Sequence, residues 1–216
     1  LEQDQGNGAQ VTGFLFDLDG TLVDSHTSIE ASWSTLAKEI GVAAPSIYDI
    51  HGIPASDTIK KYAPKLAGQE LAEFVDLMEK TEIETAPLVK PVDGALEIID
   101  YLNKNNLPWT IVTSCTWPLA KARLEAIGLY LPENSVTFDQ VKRGKPDPEP
   151  FILGAERLGM PVGNCWAVED SKGGLKSAQD AGCKTIAVLT SHRADELLGA
   201  DHYVTNLMQI VELVGI

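Results

Sequence analysis

Two aspartates stand two positions apart at the end of an apolar run, Phe-Leu-Phe-Asp-Leu-Asp-Gly-Thr over residues 14–21. A buried strand that runs into a tight turn would present both carboxylates, Asp17 and Asp19, at its carboxyl end, where open α/β sheets bind ligands. Carboxylates a few ångströms apart repel each other unless a cation lies between them or one is protonated. The spacing therefore indicates a metal-assisted reaction on an anionic substrate, and the alternative is a strand ending in a solvated Asp-Gly turn.

A hydroxyl pair and a lysine follow later apolar runs of the chain. Thr113 and Ser114 come at the end of one such run, next to Cys115. Their hydroxyls and the N–H groups of the following helix could bind an anion, although Thr-Ser is also a common helix cap. Lys145 stands between a glycine and a proline in an acidic chain. Its ammonium could neutralise a phosphate and a nucleophilic carboxylate, or it could lie in an ordinary surface loop.

Two adjacent acids, Glu169 and Asp170, end another apolar run. Carboxylate oxygens at a strand end suit Mg²⁺, which binds through one or two carboxylates together with water and substrate phosphate. The alternative is an aspartate that caps the helix beginning at residue 171.

Strands and helices alternate through the second half of the chain, which implies βαβ units and a parallel sheet. The pattern predicts strands at 13–17, 109–113, 136–138, 165–170, 184–189 and 202–205. It predicts intervening helices at 93–105, 117–127, 148–158, 171–181, 193–198 and 206–213.

Only helices, at 25–40, 55–63 and 68–84, are predicted between the first strand and the others. We therefore predict a catalytic core of residues 12–22 and 91–216 and an inserted helical cap of residues 23–90.

Composition excludes several classes of partner. The net charge of −14 over 216 residues argues against nucleic acid and anionic membranes as partners. The sequence has no run of about 18 apolar residues, so we predict no membrane span. Three scattered cysteines indicate no disulfide framework, and the first ten residues lack the pattern of a secretory signal. We expect a cytoplasmic monomer.

Taken together, Asp-x-Asp, Thr-Ser, Lys and Glu-Asp at successive strand ends resemble the haloacid dehalogenase superfamily, in its phosphatase branch with a small helical cap. The resemblance extends from about residue 12 to the end of the chain. Stretches at 112–116, 139–151 and 168–184 are similar to the fungal glycerol-phosphate and 2-deoxyglucose-6-phosphate phosphatases. The fold that this implies is α/β, with a Rossmann-like doubly wound parallel sheet and an inserted all-helical cap.

The resemblance implies a role for each segment. Asp17 would be the nucleophile that forms an aspartyl-phosphate, and Asp19 would protonate the leaving alcohol and then activate water. Mg²⁺ would be held by Asp17, the Asp19 carbonyl and Asp170, with Glu169 either a further ligand or a residue that orients the ligands. The implied substrate-binding residues are Thr113, Ser114, Cys115 and Lys145, with Cys115 a neighbour of the phosphate and not a nucleophile.

The cap loop His51–Asp57 contains no arginine or lysine, which weakens any function that needs a second phosphate to be clamped. His51 is a further candidate for substrate contact. The predicted function is a Mg²⁺-dependent phosphomonoester hydrolase acting on a small sugar or polyol phosphate. The alternatives are a hexose-phosphate mutase of the same superfamily and a non-catalytic binding module.

Overall fold

A computed structural model describes residues 12–46, 50 and 53–216. Its main sheet has five parallel strands in the order β4-β1-β5-β6-β7. These are β1 (Gly13–Phe16), β4 (Trp109–Ile111), β5 (Cys165–Glu169), β6 (Lys184–Val188) and β7 (His202–Val204). The remaining strands, β2 (Val23–Asp24) and β3 (Lys90–Pro91), form a separate antiparallel ribbon. The predicted parallel α/β sheet is confirmed.

Among the described residues, the longer helices are α1 (His26–Ile40), α2 (Ala55–Tyr62), α3 (Gly68–Thr85), α4 (Ala95–Lys104), α5 (Trp117–Ala126), α6 (Glu149–Arg157), α7 (Lys172–Ala181) and α8 (Gln209–Val214). Each begins and ends within a few residues of a helix predicted from the sequence. Among the residues that the structure describes, no helix is both long and apolar enough to cross a membrane.

Both faces of the sheet are covered by helices, as in a doubly wound fold. The residues of β1 are fully buried, and successive side chains point to opposite faces. Phe14 and Phe16 pack in one apolar cluster with residues of α4, α5 and α8. Leu15 packs in a second cluster with residues of α6 and α7. Burial on both sides explains why β1 is a continuous apolar run.

The strand order places β1 at the point where the connections change direction. From β1 the chain continues to β4 on one side, and β5 then pairs on the other side. In register, Phe16 lies opposite Ile111 of β4 and Val168 of β5. The residues that follow these three positions therefore meet at one edge of the sheet, and open α/β sheets bind ligands in the crevice at such a point.

The insertion, residues 23–90, has an apolar core of its own. Ile29, Trp33 and Leu36 of α1 pack with Ile59 of α2 and Met78 of α3. The ribbon of β2 and β3 lies where the chain enters and leaves these helices, and the sequence pattern did not indicate it. The assignment of residues 23–90 to a separate domain stays a prediction.

The predicted strand at 136–138 is wrong. Val136 makes a single bridge to Val112, in which its N–H donates to the Ile111 carbonyl and its own carbonyl accepts from Thr113. The chain then turns into a 3₁₀ helix at Phe138–Gln140, where the Phe138 N–H donates to the Cys115 carbonyl. The loop that follows returns to the end of β1, where Lys145 contacts Asp17.

The predicted helix at 193–198 is also wrong, since this segment forms turns. The Glu196 N–H donates to the Arg193 carbonyl and closes one turn. The Arg193 guanidinium pairs with Asp195 two residues away, a spacing that does not align side chains on a helix. Gly199 then adopts a left-handed conformation (φ 84°), and the chain continues into β7.

Candidate active site

A cavity of about 200 Å³ lies between the carboxyl edge of the sheet and the inserted helices. The sheet edge and its loops contribute all eight described residues that were predicted for the site: Asp17, Asp19, Thr113, Ser114, Cys115, Lys145, Glu169 and Asp170. The opposite wall includes Trp33 of α1 and Met78 of α3. His51, the ninth predicted residue, lies outside the described residues.

The Lys145 ammonium is the centre of this sheet edge. Its side chain is 4% exposed, and Nζ donates to Asp17 Oδ1 and Glu169 Oε1, both at 2.6 Å. A third bond, of 2.7 Å, reaches the Val112 carbonyl, and the Phe151 ring lies beneath Nζ at 5.0 Å. Three acceptors satisfy the three protons of the ammonium, so that the loop carrying Lys145 is fixed to β1, β5 and the end of β4.

Charge and burial oppose each other at this cluster. Burial raises the pKa of Asp17 well above its usual range. The Lys145 ammonium lowers this pKa, whereas the Glu169 and Asp170 carboxylates raise it further. Burial alone would lower the pKa of Lys145, but the Asp17 and Glu169 carboxylates outweigh it and raise that pKa. The lysine therefore stays charged, and positive charge near Asp17 favours its carboxylate form.

Both oxygens of Glu169 are engaged within the protein. Oε1 accepts from Lys145, and Oε2 accepts at 3.0 Å from the Asp170 N–H, the Ser171 N–H and the Ser171 hydroxyl. The Ser171 hydroxyl in turn caps α7 by accepting from the Gly174 N–H. Of the two roles predicted for Glu169, this geometry favours orientation of Lys145 over direct binding of a metal ion.

The Asp17 and Asp170 carboxylates at this edge fit a divalent cation, and Glu169 adds negative charge beside them. Ligand atoms of Asp17, Glu169 and Asp170 lie within 4.8 Å of one another, and all three residues are buried. Three carboxylates and one ammonium leave the cluster with excess negative charge. Hard oxygen donors of this kind are the ligands that Mg²⁺ prefers.

A tight turn brings Asp19 back over the end of β1. The N–H groups of Leu22 and Val23 both donate to the Leu18 carbonyl at 2.9 Å. Gly20 adopts φ 81° in this turn, and a Cβ there would lie 1.9 Å from Asp170 Oδ2. Glycine is therefore required by backbone conformation and by close approach to a carboxylate.

The segment after β4 supplies hydroxyl and backbone groups to the cavity. Thr113 is buried, and its hydroxyl accepts from the Cys115 N–H at 3.1 Å. Ser114 is half-buried and lines the cavity. The Cys115 thiol points to Asp19 and donates to its Oδ2 at 2.8 Å. Burial, then the Asp19 carboxylate, raise the pKa of this thiol well above its usual range, so it remains a protonated donor.

Sequence reasoning missed Arg123, which contacts Asp19, and Glu82, which contacts Arg123. Arg123 of α5 donates through Nη1 to Asp19 Oδ2 at 2.5 Å and through Nη2 to Glu82 of α3 at 2.8 Å. The signal was an arginine on the buried stripe of α5, four residues after Leu119 and next to Leu124. A charged residue at such a position must be paired.

The rest of the predicted cap loop contributes no cation. Lys60 and Lys61, on the following helix α2, are exposed. Among the described residues that line the cavity, the cations are Lys145 and Arg123, and both are held by carboxylates.

Comparison with known proteins shows which family this chain is similar to. Residues 14–188 match the family model for haloacid dehalogenase-like hydrolases. Hexitol phosphatase A of Escherichia coli is 41% identical over 202 residues, covering 92% of each chain. Glycerol-1-phosphate phosphohydrolase 2 of Saccharomyces cerevisiae is 32% identical, covering 91% of this chain and 83% of that protein. A crystal structure of a hydrolase from Pseudomonas syringae superposes with a TM-score of 0.81 at 26% identity, covering 94% of this chain and 98% of that chain.

Two neighbouring glycines at the start of α7 provide a test of how Glu169 is held. A Cβ at position 174 would lie 1.7 Å from Glu169 Oε1, whereas a Cβ at position 173 would meet nothing within 4 Å. We expect Gly174→Ala to lower the free energy of unfolding by roughly 1–3 kcal/mol through overpacking. Gly173→Ala should be neutral or stabilise by up to about 1 kcal/mol. Urea denaturation measures both, and equal effects of the two substitutions would contradict the packing described.

Proposed function

The chain belongs to the haloacid dehalogenase-like hydrolases, and we propose that it is a Mg²⁺-dependent phosphomonoesterase for a small sugar or polyol phosphate. One observation carries the proposal. The Asp17 carboxylate is bonded to a buried ammonium at the base of the cavity, and Asp19 faces the same cavity two residues later. In this proposal residues 12–22 and 91–216 are the catalytic core, residues 23–90 are the cap, and the enzyme is cytoplasmic.

The first half of the proposed reaction transfers the phosphoryl group to Asp17. An Asp17 carboxylate oxygen attacks phosphorus, and the bond from phosphorus to the alcohol oxygen breaks. The leaving alcohol takes a proton from Asp19. Lys145 neutralises charge on Asp17 and on the phosphoryl oxygens, while the Thr113 hydroxyl and the Ser114 segment bind those oxygens.

The second half releases phosphate and restores the enzyme. Asp19, now a carboxylate, takes a proton from water, and the water oxygen attacks phosphorus. The bond between phosphorus and the Asp17 oxygen breaks, which yields inorganic phosphate and returns Asp17 to its carboxylate form. Asp19 has then recovered the proton that it gave to the alcohol.

Asp17, Asp170 and the Asp19 carbonyl would hold Mg²⁺. When bound, the ion offsets the negative charge of the carboxylates and of the phosphoryl oxygens. Glu169 acts through Lys145, because both of its oxygens are already engaged.

The cavity wall and the relatives support this substrate class. The cavity is small, and its far side combines apolar side chains such as Trp33 and Met78 with the Glu79 carboxylate. Apolar surface and a hydrogen-bonding carboxylate suit a neutral polyhydroxy chain. Relatives named for hexitol phosphates and glycerol 1-phosphate support the same class.

A hexose-phosphate mutase is the competing enzyme function, and the charge distribution disfavours it. A mutase must accept a sugar that carries a second phosphate, which calls for an available cation on the far wall. Among the described residues that line the cavity, none from the inserted helices is a cation, and Arg123 of α5 is already held by Asp19 and Glu82.

Replacement of the nucleophile tests the assignment directly. Asp17→Asn should lower kcat by more than about 10³-fold, because an amide cannot form the aspartyl-phosphate. Circular dichroism should show a folded protein. Asp180→Asn, which changes an exposed aspartate paired with Lys176, is the matched control and should be fully active. Substantial phosphate release by Asp17→Asn would exclude Asp17 as the nucleophile.

Removal of the metal should abolish turnover. After treatment with EDTA, hydrolysis should return on titration with MgCl₂. We expect Asp170→Asn to raise the Mg²⁺ concentration for half-maximal activity by at least about 10-fold, since it removes a charged oxygen ligand. Hydrolysis that survives chelation would contradict a metal-dependent reaction.

Product analysis separates the hydrolase from the mutase. Incubation with a hexose 1-phosphate, followed by phosphorus NMR, should show inorganic phosphate and no accumulation of hexose 6-phosphate. Glycerol 1-phosphate, from which a phosphomonoesterase should also release inorganic phosphate, serves as the parallel substrate. Formation of hexose 6-phosphate as the main product would favour the mutase.

A further inference from the structure

A buried arginine connects Asp19 to the inserted helices. The Arg123 side chain is 2% exposed and lies between the Asp19 turn of the core and Glu82 near the end of α3. Nη1 is 2.5 Å from Asp19 Oδ2, and Nη2 is 2.8 Å from Glu82 Oε1. Three parts of the molecule that are distant in the chain are therefore joined through one guanidinium.

The same Asp19 oxygen is held from a second direction. The Cys115 thiol donates to Oδ2, and the Arg123 Nη1 also lies 3.0 Å from the Cys115 sulfur. Two donors on one carboxylate oxygen restrict rotation of the aspartate side chain. These two contacts hold the Asp19 side chain in the orientation that it has in the structure.

The charges of this cluster make the contacts interdependent. Burial alone would lower the pKa of Arg123, but the carboxylate of Asp19, with Cys115 and Glu82, raises it instead. Burial raises the pKa of Glu82, and Arg123 acts against that rise. Removing one partner of a buried charge pair leaves the other uncompensated, so a loss of Glu82 should disturb how Arg123 meets Asp19.

We propose that Arg123 is a positioning residue that orients Asp19 for proton transfer, and that Glu82 of the insertion holds Arg123 in the required place. This inference rests on the proposed function, in which Asp19 protonates the leaving alcohol. It makes the orientation of Asp19 depend on contact between α3 and α5. Arg123 acts through Asp19 and does not itself transfer the proton.

A pair of substrates with different leaving groups separates positioning from a general structural role. The glycerol oxyanion is a strong base and must be protonated as it leaves, whereas acetate, released from acetyl phosphate, is a weak base and needs no proton. The kcat/KM value reports the steps up to release of this group. The ratio of kcat/KM for glycerol 1-phosphate to that for acetyl phosphate therefore measures assistance by Asp19.

We expect Arg123→Gln to lower this ratio by at least about 10-fold, a fraction of the 10²–10⁴-fold effect that general acid catalysis supplies. Glu82→Gln should lower it by a smaller factor, and Arg123→Lys should restore part of the loss because it keeps the charge but not the two-pronged geometry. Glu84→Gln is the matched control: Glu84 lies on the same helix, is exposed and pairs with Lys80, and its ratio should equal that of the unmodified protein.

A ratio that stays at the unmodified value in both Arg123→Gln and Glu82→Gln would overturn the inference, even if both esters react more slowly. If Arg123→Gln does not fold, Glu82→Gln and Arg123→Lys decide the question by the same ratio. Failure of the proposed function has a different signature, because the unmodified protein with Mg²⁺ would then hydrolyse neither ester.

Discussion

A single buried ammonium holds two carboxylates side by side at the carboxyl edge of the sheet, and the surrounding loop, strands and glycine are arranged around that contact. Lys145 bonds Asp17 and Glu169, which end two neighbouring strands, and would be costly to bury without them. The chain leaves the sheet after the single Val112–Val136 bridge, and the loop that follows brings Lys145 to the end of β1. Glycine is needed at position 174 because the Glu169 carboxylate lies where a side chain would begin. The path of the loop and the glycine at position 174 are therefore both tied to this charged cluster.

A second charged cluster, Asp19 with Arg123 and Glu82, lies a short distance away and is organised differently. The lysine cluster joins strands of the core to one another, whereas the arginine cluster joins the core to the inserted helices. The two carboxylates of the Asp-x-Asp pair thus have separate partners and separate surroundings. Different surroundings allow two neighbouring carboxylates to have different roles, as in the proposed reaction, where one attacks phosphorus and the other transfers protons.

The sequence predicted the core of the fold because burial leaves a strong pattern there. A fully apolar β1 and the alternation of strands and helices after residue 90 both follow from a sheet covered on two faces. The prediction of a strand at 136–138 was wrong because a short run of strand-forming residues does not show how many of them pair with a neighbouring strand. Here only Val136 does. Arg123 was missed because its partners, Asp19 and Glu82, are far away in the chain, and a helical pattern reveals a buried charge without revealing what it meets. His51 lies outside the described residues, so its contact with substrate stays a prediction.

The ribbon of β2 and β3 has a consequence for how this architecture can diversify. Val23 pairs with Pro91 and Asp24 with Lys90, so the chain departs and returns along neighbouring strands about 4.8 Å apart. Segments with closely spaced ends can be exchanged without moving the framework to which they are joined. A different lid could be grafted between these two strands, and the substrate range altered, while every strand of the parallel sheet kept its register.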